Sequence, residues 1–118
     1  MAYIRSGTGG NTNKEFVIPR LGVNLNVTGY ATGYIQSIDV SEYNTLTFDS
    51  YTYTGNPNTR TCSISGDNGL SVTYTAPVNS KQTIDISDQN TIGISLRIGI
   101  PANPKTSSLN LNNVVFSS

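Results

Sequence analysis

Apolar and polar residues alternate along most of this chain with a period of two. Leu21, Val23, Leu25 and Val27 are separated by Gly22, Asn24 and Asn26, and that period turns successive side chains to opposite faces of an extended strand. Further alternating runs cover residues 34–40, 46–54, 59–65, 70–76, 83–86, 92–100 and 108–117, and no stretch has a helical period. Between them lie turn-forming segments such as Gly55-Asn56-Pro57-Asn58, Gly66-Asp67-Asn68-Gly69 and Pro101-Ala102-Asn103-Pro104. About eight short strands joined by such turns predict an all-β protein, a two-sheet antiparallel β-sandwich or jelly roll.

The alternation also assigns faces. Ile92, Ile94, Leu96, Ile98 and Ile100 share one side of their run and are expected to be a central inward strand, with Arg97 on the opposite side. Leu70, Val72, Tyr74 and Ala76 share a face in the same way. Over residues 46–54, Leu46 and Phe48 fall on one face, and an unbroken period puts Tyr51 and Tyr53 on the other.

A repeat lies within this pattern. Residues 38–46 read IDVSEYNTL and residues 84–92 read IDISDQNTI, identical at five of nine positions and offset by 84 − 38 = 46 residues. Ser, Asp and Asn bond to their own backbone at corners, so each copy predicts a strand, a tight corner and a second strand. Two equivalent corners predict a chain that crosses between the two sheets twice. Asp39 and Asp85 fall between apolar residues and are expected to face solvent; Glu42 and Asp88 would cap the corners or lend one ligand to a surface cation.

The 118 residues fit one domain. Residues 1–15 include the aperiodic segment SGTGGNTNK and are expected to form a flexible, glycine-rich N-terminal arm, with Tyr3 and Ile4 as its apolar anchor; residues 16–118 are expected to form the single β-sandwich domain. Seven basic and seven acidic residues leave no net charge, so the concentrated basic field that nucleic acid requires is missing. No run reaches the length of a membrane-spanning segment or of a signal-peptide core, which predicts synthesis in the cytosol without membrane insertion. Asn26-Val27-Thr28 matches a glycosylation sequon, read here as coincidence. Cys62 is the only cysteine and, lying in an alternating run with Ile64, is expected to be a small core residue.

The chain contains no histidine and no tryptophan. Without histidine, and with its one thiol in the core, it offers no nucleophile–base pair, and its carboxylates have no spacing that marks a catalytic couple. No catalytic residue, cofactor or metal site is therefore assigned; Asp67-Asn68-Gly69 is a fragment of a calcium loop without the remaining ligands, and reads as a turn. The candidate ligand or partner surface is Tyr51, Tyr53 and Arg97, since flat rings beside a guanidinium fork suit the C–H faces and hydroxyls of a sugar. Such tyrosines also occur at subunit interfaces and as ordinary strand residues, and all three readings stay open.

The segments YIQSIDVSEYNTLTF, KQTIDISDQNTIGISL and the closing LNLNNVVFSS resemble galactose-binding-like jelly-roll modules, found in carbohydrate-binding modules and in virion proteins of tailed phages. The resemblance covers residues 34–118 and implies a non-enzymatic structural or accessory virion protein (tail, baseplate, head fibre or capsid decoration). Such a protein would be made in the host cytoplasm, pack as a homo-oligomer or against other virion subunits, and contact host surface glycans. The alternative it implies is a stand-alone carbohydrate-binding module for a cell-wall polysaccharide.

Overall fold

The structure, a computed structural model, describes the backbone of four strands before residue 38, and residues 38–99 and 107–118 with their side chains. The strands are β1 (Ala2–Gly7), β2 (Asn13–Ile18), β3 (Val23–Thr28), β4 (Thr32–Asp39), β5 (Thr45–Phe48), β6 (Ser50–Thr54), β7 (Arg60–Gly66), β8 (Ser71–Thr75), β9 (Gln82–Asp85), β10 (Thr91–Ile98) and β11 (Ser108–Ser117). They form an antiparallel two-sheet sandwich. One sheet has the order β2-β1-β4-β10-β7-β8; the other has the order β3-β11-β5-β9, with β6 also paired to β11. The described residues contain no helix. All eight expected runs contain strand; the total is larger because residues 46–54 divide into β5 and β6 and because β1 and β2 precede them.

The repeat explains how the two sheets are joined. Thr91 pairs with Asp39 and Ile92 with Ile38 in the first sheet, while Thr45 pairs with Asp85 and Leu46 with Ile84 in the second. Across the corners Val40 N–H donates to Asn90 O and Ile86 N–H to Asn44 O, each at 2.9 Å. In every one of these pairs the two residue numbers add to 130. The two copies are thus one antiparallel ribbon, related by a local two-fold, that folds from one sheet to the other at both corners together. Asp39 Oδ1 accepts from Ser41 N (3.0 Å) and Oγ (2.7 Å), and Asp85 Oδ1 accepts from Ser87 N (2.9 Å) and Oγ (2.6 Å). The corner residue two positions after each aspartate is therefore held by its carboxylate.

Inward residues of both sheets meet in one core that includes Ile38, Val40, Leu46, Phe48, Cys62, Ile64, Ile92, Ile94, Leu96, Leu109 and Leu111. Ile94 and Leu96 are each 1 % exposed, and Arg97 is exposed, as the alternation requires. Phe48 meets Tyr74 of the opposite sheet edge-on, with ring centroids 5.1 Å apart, a favoured arrangement of two ring quadrupoles.

One face assignment is corrected. Tyr51 belongs to the core and is 0 % exposed. The run 46–54 breaks at Asp49 between β5 and β6, so burial passes from Phe48 to Tyr51 over three residues instead of two. β11 makes the same step: Leu109 and Leu111 are buried, then Val114 and Phe116. Asp49 N–H donates to Asn112 O at 2.9 Å, Asn113 Nδ2 donates to Asp49 Oδ2 at 2.9 Å, and Asn113 has φ 57°. A residue in that left-handed region bends the strand, and asparagine tolerates it better than most. Because the neighbouring strands change phase at the same level, both keep their apolar residues inward.

The arm expected over residues 1–15 takes a different form over Ala2–Gly7. This segment is strand β1, between β2 and β4 in the first sheet, with Tyr3 opposite Val17 and Gln36, and Ile4 opposite Phe16 and Ile35. An interior strand pairs its backbone on both sides, which offsets the ordering entropy of a polar segment. Residues 8–12 and the side chains of Tyr3 and Ile4 lie outside the described residues, as does Ile100.

Candidate functional site

Among the described residues, polar groups gather at three places that bear on a site. At the corners they are occupied by turn formation. Beyond the two aspartate–serine pairs, Asp67 Oδ1 accepts from Asn90 N (2.8 Å) and Thr91 N (3.1 Å), tying the β7–β8 hairpin to the second corner. Gln89 Oε1 accepts from Asn68 N at 2.8 Å, and Asn68 Nδ2 donates to Asp88 O at 3.0 Å. These bonds hold the carboxyls of Asp39, Asp67 and Asp85 below the usual carboxylate range, so they stay ionised near neutrality and are poorly suited to proton transfer. Glu42 and Asp88 are exposed, and among the described residues no cluster of His, Cys, Asp or Glu could hold a metal ion.

The outward face of β6 and β11 is a carpet of amides and hydroxyls that bond one another. Asn112 Nδ2 donates to Ser50 Oγ (2.9 Å) and Thr52 Oγ1 (3.3 Å), Asn110 Nδ2 donates to Ser108 Oγ (3.1 Å), and Thr54 and Ser108 share a hydroxyl–hydroxyl bond. A ligand must compete with these bonds for the hydrogens already donated and for the positions in which they hold the side chains.

The third place is the end of the sandwich where β6 and β7 face each other across the core. β6 directs Tyr51 and Tyr53 inward; β7 directs Arg60 and Cys62 inward. Tyr51 is fully buried, and Tyr53 is half-buried against the core margin. The Arg60 guanidinium carbon lies 4.6 Å from the centre of the Tyr53 ring, within the range of a cation–π contact. Burial pushes the Tyr51 hydroxyl's pKa up, the Cys62 thiol adds to that shift, and the Arg60 charge opposes it. Burial pushes the Cys62 thiol up to about 12, which leaves it protonated and inert.

Two polar atoms here have no hydrogen-bond partner among the described residues: the Tyr51 hydroxyl and Arg60 Nε, both buried. Nor does a carboxylate pair with Arg60 among those residues. Buried donors are satisfied in the great majority of cases, so two unmet donors in one place are unusual. The loop between β6 and β7 frames this end. Pro57 is buried, and Gly99 N–H donates to Thr59 O at 2.8 Å. A Cβ on Gly99 would overlap Asn58 Oδ1 and stand 2.5 Å from Thr59 N, so glycine permits that close approach.

Tyr51, Tyr53 and Arg97 do not form one surface. Arg97 is on β10 in the first sheet and points outward, away from the core to which both tyrosines are directed. The guanidinium that joins the tyrosines is Arg60. Its signal in the sequence is its position two residues before Cys62 at the start of an alternating run, which places it on the inward face of β7.

No family model and no curated protein matches this chain. Two solved structures from Clostridium perfringens ZmpB align with it: the CBM51-2 and INT domains in complex with GlcNAc (TM-score 0.47) and the same domains alone (TM-score 0.45). Each is 10% identical and covers 98% of this chain, which spans 25% of theirs.

Proposed function

We propose that this chain is a non-catalytic saccharide-binding module whose ligand sits against Tyr53 and Arg60 at the end of the sandwich framed by the β6–β7 loop. The observation that carries this reading is the coincidence of an aromatic ring, a guanidinium and two unmet buried donors at one site. Sugars present C–H faces to rings and hydroxyl oxygens to donors, so the chemistry offered there matches theirs. The corner carboxylates and the β6–β11 carpet support the choice of site by having their bonds already made. A place in a tailed-phage virion, with homo-oligomeric or other subunit contacts there, is a separate proposal that rests on the sequence resemblance.

A panel of cell-wall and host-surface polysaccharides in affinity electrophoresis tests the reading. The unaltered protein is expected to be retarded by at least one polymer, Arg60→Ala to lose that retardation, and Arg97→Ala to keep it. Equal loss in Arg97→Ala, or unchanged retardation in Arg60→Ala, would place the site elsewhere.

A further inference from the structure

We infer that the saccharide is acidic and that Arg60 receives its carboxylate, an inference that rests on the saccharide-binding reading and names the ligand class for that site. A guanidinium is charged at every physiological pH, and a half-buried one is normally matched by an anion. Arg60 has no such match among the described residues; its cation meets only the face of Tyr53. Its Nε–H is buried and unpartnered, and Nε with one terminal nitrogen forms the parallel pair of donors that bond to the two oxygens of a carboxylate. A neutral sugar hydroxyl would satisfy one donor and leave the charge uncompensated. Lysine would supply the charge without the planar fork, and the ring beneath Arg60 stacks with that plane.

Among the described residues, the surroundings favour an incoming anion over one supplied by the chain. The three turn-forming aspartates are exposed and already bonded within their corners, and the carboxyl of Asp49 accepts from Asn113 at the bulge. Tyr51, two residues from Tyr53 on the same inward side, adds a second unmet donor in the field of Arg60. A plain buried water bridging the two donors is the competing account. It predicts no preference among saccharides.

The test pairs each acidic polymer with its own neutralised form: polygalacturonate with its methyl ester, and hyaluronan and polysialic acid with their carboxyl-reduced forms. Polyglutamate serves as a non-saccharide polyanion, and binding is measured by calorimetry at fixed ionic strength. The full chain is expected to bind at least one acidic saccharide about ten- to a hundredfold more tightly than its neutral form. Arg60→Gln is expected to abolish the difference, and Arg60→Lys to restore only part of it, with the melting temperatures of both variants checking that they fold. Equal affinity for acidic and neutral forms, unchanged in Arg60→Gln, overturns the inference and leaves the saccharide-binding reading standing. Binding to polyglutamate as tight as to the acidic saccharide overturns it in favour of bare charge attraction. Binding to no saccharide at all overturns both.

Discussion

At Tyr51 the hydroxyl is expected to cost stability. The ring fills the core, but an O–H transferred from water without a partner loses its hydration and gains nothing in return, a cost of about 1–3 kcal/mol. Tyr51→Phe keeps the ring and removes the unmet group, so thermal melting is expected to show a gain of about 1 kcal/mol or more. A loss would mean that a buried water already satisfies the hydroxyl. Leu96 presents the opposite case, an apolar side chain with 1 % exposure in the middle of β10. Leu96→Ala is expected to cost about 2–5 kcal/mol in denaturant unfolding, from lost burial and the cavity left behind. The inward place of Leu96 was legible from alternation. That of Tyr51 was not, because a single bend at Asp49 reverses which alternate residues face the core.

Among the elements, the two corners and the paired bulge determine where the chain turns. The corner aspartates Asp39 and Asp85, together with Asp67, have carboxyls held below their usual range chiefly by hydrogen bonds to Ser41, Ser87 and the backbone of Thr91 and Asn90. A group whose pKa is lowered by folding contributes stability above its unfolded pKa, and that contribution disappears as pH falls through the folded value. Stability is therefore expected to decline as pH drops through and below the ordinary carboxylate range. The triple variant Asp39→Asn, Asp67→Asn, Asp85→Asn should decline less over the same window, as urea midpoints at stepped pH would reveal. At the bulge, Asn113→Ala puts a residue that tolerates the left-handed region less well than asparagine at a φ of 57° and removes the bond to Asp49. It is expected to cost about 1–2 kcal/mol, and Asn113→Gly less, by chemical denaturation.

For the whole molecule, pairing is non-local: β4 pairs with β10 and β6 with β11, across about half the chain. Long loops must close before such contacts form, so folding is expected on the millisecond-to-second scale, which stopped-flow refolding measures. The sequence by itself determined eight of the strand-bearing runs, the core of β10 and the existence of two equivalent corners, because side-chain alternation and turn chemistry are local properties carried by neighbouring residues. It offered Tyr51, Tyr53 and Arg97 as the candidate surface and did not single out Arg60. Only the tertiary structure decided that Tyr53 meets Arg60 instead of Arg97, that residues 2–7 lie inside a sheet, and that the repeats pair with each other. Each of those outcomes depends on which distant strands become neighbours and where a bulge shifts their phase, and a period of two is the same for every strand that could have been chosen.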